Sequence, residues 1–304
     1  MKKGFIFIMA GLMFALAGCT PTATPPAADQ PLRVVAAEAF LADITQNIAG
    51  ERLTVTALIP AGVDPHTFTP TPQDLALITD SDVLILNGAG LEEALLPVLE
   101  NADGERLLIE AAAGLESRPV EADAHGHTEG DPHFWLDPNL AMAYVETIRA
   151  GLTAADPAGG ELYAANAAAY TAELQALDAW IREQIETIPP ERRLLVTNHE
   201  SFGYFADRYG LTVVGALATS VSAGAAPSAQ QVAELVDQIR ATGAPAIFLE
   251  QGVNPQLAEQ VAAETGAQVV TGLYTHSLTP PGGEAPTYIE MLRFNVTQIV
   301  TALR

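Results

Sequence analysis

The chain has 304 residues, 49% of them hydrophobic, and its 37 acidic side chains against 14 lysines and arginines give a formal charge of −23 at neutral pH. So acidic a surface excludes nucleic acid as a partner, since a phosphate backbone is bound by basic side chains, and it raises the local concentration of cations. One cysteine excludes a disulfide within the chain, and the length exceeds that of an ordinary domain, so two lobes are expected.

In chain order, Met1-Lys2-Lys3 and the apolar run from Gly4 to Leu16 read as a signal peptide over residues 1–18. The run is shorter than the roughly 20 residues that cross a bilayer. Leu16-Ala17-Gly18-Cys19 resembles the lipobox of bacterial lipoproteins, which makes Cys19 the expected lipidation site. Cleavage before it removes Lys2 and Lys3 and no acid, taking the formal charge from −23 to −25. Residues 19–31 carry Pro21, Pro25 and Pro26 among small and polar side chains and read as a flexible tether. No later apolar run is long enough to span, so the body is expected at the extracytoplasmic face of a bacterial membrane, in the periplasm or on the outer surface, held by its lipid alone.

Strands are expected at 32–37, 53–59 (ending at Pro60), 83–86 and 106–109, with helices at 39–48 and 91–99. Thr71-Pro72-Gln73-Asp74 has the form of a capped helix start with proline in the first turn. A further helix lies near 140–152, completing an N-terminal α/β lobe over 32–158. Tyr163, Tyr170, Leu174, Leu177, Ile181, Ile185 and Ile188 then recur at helical spacing until Pro189-Pro190. That connecting helix, within 159–189, would reach about 42 Å and act as a rigid link that limits hinge motion. A C-terminal lobe over 190–304 repeats the rhythm, with strands at 193–197, 211–217, 246–250 and 268–273 and helices at 202–208, 228–241 and 255–265. The fold class is α/β: two lobes, each a mostly parallel sheet flanked by helices, joined by one long helix.

All six histidines fall in loop-like sequence, four of them far apart: His66, His133, His199 and His276. Neutral imidazole is a common ligand for borderline metals, so the pattern points to a metal site. His66, His199 and His276 each follow a strand, and in open α/β sheets ligands collect at the carboxyl ends of the strands. His133 instead follows a loop. Asp131-Pro132 positions it, as Asp64-Pro65 positions His66, because proline fixes one dihedral and restricts the residue before it. His125 and His127 lie in the acidic segment 121–129.

Three ordered segments resemble the cluster A-I solute-binding lipoproteins that deliver zinc or manganese to ABC importers. They are Asp64-Pro65-His66-Thr67-Phe68-Thr69-Pro70, Asp131-Pro132-His133-Phe134-Trp135-Leu136-Asp137-Pro138 and His199-Glu200-Ser201-Phe202-Gly203-Tyr204-Phe205. The resemblance extends over nearly the whole chain beyond the tether. It implies a cleft between the lobes in which His66 and His133 face His199 and a fourth ligand. Histidine at 199, where manganese binders tend to carry glutamate, resembles the zinc subgroup. The fourth position is usually aspartate, whereas Tyr274-Thr275-His276-Ser277-Leu278 places His276 there; water or Glu284 is the alternative.

Four neutral imidazoles would leave Zn²⁺ its full charge, so a nearby carboxylate is expected, and Glu250 at a strand end is the candidate. Nitrogen donors suit Zn²⁺, with Mn²⁺ as the alternative cargo. His125 and His127 resemble a shortened accessory metal-capture loop of zinc-binding members. The implied partners are the membrane subunits of an ABC permease and a divalent ion, with the protein a monomer. A zinc hydrolase is disfavoured, since His199-Glu200 is followed by Gly203 where an HExxH motif needs histidine. A surface adhesin with a metal site is the remaining alternative, and no enzyme activity is expected.

Overall fold

Short aliphatic runs build the strands, and the inner ones are apolar on both faces rather than alternating, as in a parallel sheet covered on both sides. Val34–Ala36 (β1) and Val83–Leu86 (β3) are buried throughout. The computed structural model describes residues 32–102, 104–119, 130–218 and 227–304; the signal peptide, Cys19, the tether, His125 and His127 lie outside the described residues. With Val55–Ala57 (β2) and Leu107–Glu110 (β4), the first sheet has the order β2-β1-β3-β4, all parallel. Leu194–Thr197 (β5), Thr212–Ala216 (β6), Ala246–Glu250 (β7) and Gln268–Leu273 (β8) form a second parallel sheet, β6-β5-β7-β8. Each sheet reverses its winding once, between β1 and β3 and between β5 and β7, and such a reversal opens a crevice at the carboxyl ends of the strands.

The helices among the described residues are Ala39–Ala49 (α1), Pro72–Asp80 (α2), Leu96–Asn101 (α3), Pro138–Ala155 (α4), Gly160–Glu186 (α5), Gly203–Tyr209 (α6), Ala229–Thr242 (α7), Gln256–Thr265 (α8) and Tyr288–Leu303 (α9). α2 starts as expected: the Thr71 hydroxyl caps the Asp74 N–H, the Asp74 carboxylate returns to the Thr71 N–H, and Pro72 fills the first turn. The 27 residues of α5 span about 40 Å. Its stripe of Tyr163, Ala167, Tyr170, Leu174, Leu177, Ile181 and Ile185 is buried, packed on α1, α4 and α9. One apolar core runs through Val34 and Ile85 of the first sheet and Leu195 and Phe248 of the second. Trp135 links the halves: it stacks on Phe40 at 4.4 Å between centroids and donates its indole N–H to the Thr275 carbonyl at 2.7 Å.

Three departures from the sequence expectations have physical causes. The strands at 32–37 and 53–59 shorten to three residues, yet their ladder continues beyond them, with Leu58 N–H donating to Ala36 O and Ile59 N–H to Ala37 O. The helix expected over 91–99 splits into a 3₁₀ turn, Glu93–Leu95, and α3, because Pro97 has no N–H and its ring crowds the carbonyl four residues back. Finally, α9 is an element that no sequence expectation covers. It buries Tyr288, Met291, Leu292, Asn295, Val296, Ile299, Val300 and Leu303, and its first N–H, from Tyr288, is accepted by Asp43 of α1.

Candidate metal centre

Two of the rings are set by turns. Asp64 Oδ1 accepts the His66 N–H at 2.9 Å, two residues on, and His66 sits in a 3₁₀ turn, Pro65–Thr67. Asp131 Oδ1 makes the same bond to the His133 N–H at 3.0 Å. It also accepts from the His133 ring, with Nδ1 at 2.8 Å. Aspartate forms such turns because its short side chain reaches its own backbone two residues ahead. A ring whose Nδ1 proton is held by a carboxylate presents Nε2 as the free lone pair.

The other two rings come from the second sheet. His199 lies two residues past β5 and His276 three past β8, while Glu250 ends β7, beside the point where that sheet reverses its winding. Glu250 reaches both: Oε1 lies 3.0 Å from His199 Nδ1 and Oε2 lies 3.6 Å from His276 Nδ1. The Thr275 hydroxyl is 2.9 Å from His276 Nδ1. Asn198 Oδ1 accepts the Glu250 N–H at 3.0 Å and fixes the end of β7.

These four elements bring the rings together. One nitrogen from each of His66, His133, His199 and His276 falls within 4.8 Å of all the others. His133 is the hub, its Nε2 lying 3.4 Å from His66 Nε2 and 3.3 Å from His199 Nε2. His276 Nε2 is buried and has no hydrogen-bond partner. His133 is 0% and His199 2% exposed, while His66 keeps an edge toward solvent. A cavity of about 180 Å³ adjoins the cluster, bounded by Val63 and Asp64 on one side and by Glu250, Val253, Thr275 and His276 on the other. Glu284, the sequence alternative to His276, is exposed beside the Tyr274 hydroxyl and takes no part in the cluster.

Burial and crowding decide the charges. Removal from water, then repulsion among the imidazoles, holds His66 and His133 well below the ordinary histidine range. Burial acts the same way on His199, but Glu250 outweighs it and raises that ring. Burial alone would raise Glu250, yet the His199 charge and hydrogen bonds from His199 and His276 hold it well below the usual carboxylate range. Asp131 differs: burial pushes it up to about 7 against the opposing His133 N–H and Arg118. A divalent cation at the rings would pull Asp131 back down. The sequence reading missed the ring contact of Asp131 and the part played by Thr275. The repeated Asp-Pro-His order signals the first, whereas Thr275 differs in no local way from any loop threonine.

The family model described as zinc-uptake complex component A, periplasmic (ZnuA), matches residues 34–302. The chain is 36% identical over 304 residues to the manganese-binding lipoprotein MntA of Halalkalibacterium halodurans, covering 99% of each chain. Among solved structures, the Mn-bound periplasmic metal binding protein from Candidatus Liberibacter asiaticus superposes with a TM-score of 0.80 at 34% identity, covering 89% of this chain and 99% of that one. The periplasmic zinc binding protein TroA from Treponema pallidum gives 0.81 at 29% identity, covering 90% and 99%. With two parallel sheets, a converged cluster of imidazoles and a match over nearly all the described residues, this chain belongs to the ZnuA family.

Proposed function

We propose that this protein is an extracytoplasmic receptor that captures Zn²⁺ on His66, His133, His199 and His276 and passes it to the membrane subunits of an ABC permease. The observation that carries the reading is the buried, unpartnered Nε2 of His276 beside three more ring nitrogens, all within 4.8 Å. Four ligands at the Zn–N length of about 2.0–2.1 Å in a tetrahedron stand about 3.3–3.4 Å apart. The two short separations at His133, 3.4 and 3.3 Å, fit that edge.

The chain's own residues prepare the site. His66 and His133 stay neutral and keep their lone pairs, while Glu250 supplies one negative charge from behind His199 and His276. Acid opposes capture, since a proton on His199 competes directly with the ion. Lobes 32–158 and 190–304 flank the ion, and the helix within 159–189 limits their motion. Cys19 carries the lipid anchor, the receptor acts as a monomer, and His125 and His127 gather ions for the main site.

A manganese receptor is the second reading, favoured by the names of the manganese-binding lipoprotein and the Mn-bound structure. Against it, Mn²⁺ prefers oxygen donors and ranks below Zn²⁺ in affinity for a nitrogen set. Competition titration of the metal-free protein decides: Zn²⁺ should displace Mn²⁺ at equal concentration, and tighter binding of Mn²⁺ overturns the zinc assignment. Binding proteins rather than enzymes are named among the relatives.

A further inference from the structure

Arg118 and Asp131 pair through the main chain, the Asp131 N–H donating to the Arg118 carbonyl at 2.9 Å. The Tyr204 hydroxyl, on α6 of the opposite half, joins them: it donates to the Asp131 carbonyl at 2.7 Å and accepts the Arg118 N–H at 2.9 Å. The Arg118 side chain then bridges two carboxylates. Its Nε lies 3.9 Å from Asp131 Oδ2, the oxygen that His133 does not use, and its Nη1 contacts Asp207 Oδ2 on α6. Its Cζ stands 5.7 Å from the centre of the Tyr204 ring. Gly203, the first residue of α6, leaves the space this needs: a Cβ there would lie 2.6 Å from Arg118 Nε and 2.9 Å from Asp131 Oδ2.

Resting on the receptor reading, we propose that Arg118 is a positioning residue that clasps Asp131 to α6 through Asp207, so that the orientation of His133 depends on contact between the two halves. The guanidinium charge facing Oδ2 at 3.9 Å, an ion pair and not a hydrogen bond, favours the Asp131 rotamer that keeps that oxygen toward Arg118. Oδ1 is thereby kept on both the N–H and the ring Nδ1 of His133, which fixes the tautomer whose Nε2 faces the ion. Asp207 is 68% exposed, so its pair with Arg118 adds little to stability. Its contribution is geometric, because it anchors the guanidinium to the half that supplies His199 and His276.

The test measures Zn²⁺ release into a chromogenic chelator by stopped flow, together with imidazole ¹H–¹⁵N spectra of the metal-free protein. Arg118→Ala should speed release about tenfold, as loss of a group orienting a metal ligand does, and should populate a second His133 tautomer. Arg118→Lys should recover only a minor part of the loss, since one ammonium cannot span Asp131 and Asp207 as the guanidinium does. Asp207→Asn should speed release about threefold, and the double variant Arg118→Ala/Asp207→Asn should be no faster than Arg118→Ala, since the two act as one unit. Release from Arg118→Ala within twofold of wild type, with His133 in one tautomer, overturns the proposal; additive effects of the two changes overturn the clasp. Failure of wild type to hold Zn²⁺ would instead sink the receptor reading, and the tautomer of His133 in the metal-free variants would still decide the role of Arg118.

Discussion

In the first half of the chain each histidine is paired with an aspartate two residues upstream, His66 through its N–H alone and His133 through both its N–H and its ring, whereas in the second half two rings share Glu250, which comes from a different strand. The carboxyl groups differ accordingly. Those beneath the first half are raised by burial: Asp131 to about 7, Glu92 to about 7, and Glu38, packed beside Glu92, well above its usual range. Glu250 is equally enclosed but faces two imidazoles, and it stays ionised. Turn geometry places the first pair, and charge places the second.

Removing the hub should have the largest effect. His133→Ala takes away the nitrogen nearest two others, and Zn²⁺ affinity should fall by about 1,000-fold or more in a competition titration, beyond the roughly 10–100-fold that losing an outer partner costs. A loss under tenfold would show that His133 is not central.

The contrast in carboxyl charge gives a stability test. Glu92 accepts N–H bonds from Asn87 and Gly88, and Asn87 Nδ2 donates to the Pro132 carbonyl just before His133. Its folded value of about 7 lies above its ordinary 4.5. Glu92 and Glu38 share that burial, so the pair contributes stability that is fully present below pH 4.5 and is lost as pH rises through about 7. His66 and His133 pull the other way in acid, so the useful quantity is wild type against Glu92→Gln in the metal-free protein. Chemical denaturation should show the variant gaining relative stability between pH 5 and 7.5, and a constant difference would refute the protonated state of Glu92.

Glu250→Gln should weaken Zn²⁺ binding about 10–100-fold at neutral pH. It should also shift the acid loss of binding to lower pH, because the raised His199 value depends on Glu250. Titrations at pH 7.5 and 5.5 check both, and an unchanged pH profile would place the competing proton elsewhere. The smallest effects separate the matched turns. Asp131→Asn should cost about tenfold in affinity, since Asp131 holds the His133 ring. Asp64→Asn should cost about threefold or less, because the bond from Asp64 to the His66 backbone survives the exchange.

The same contrast governs what the sequence revealed. The turns that carry His66 and His133 were legible because Asp-Pro-His repeats and acts over three residues. The strands at 83–86, 246–250 and 268–273 were legible because their aliphatic runs are bounded by turn residues. Glu250 was a candidate only by its place at a strand end. Its bridge joins residues 51 and 26 positions away, and no local spacing encodes such a pairing. The stripe of α9 has helical spacing, and Thr287 with Glu290 marks its start, with the hydroxyl capping the Glu290 N–H. Pro280, Pro281, Gly282 and Gly283 stand just ahead of it and give the segment the look of an irregular tail.

X-ray absorption at the zinc edge of the Zn²⁺-loaded protein tests the four-imidazole cage most directly. Four nitrogen neighbours at about 2.0–2.1 Å, falling to three in His276→Ala, are the predicted result. A carboxylate oxygen bound to the zinc in the wild type, or a set of nitrogen neighbours unchanged in His276→Ala, would contradict it.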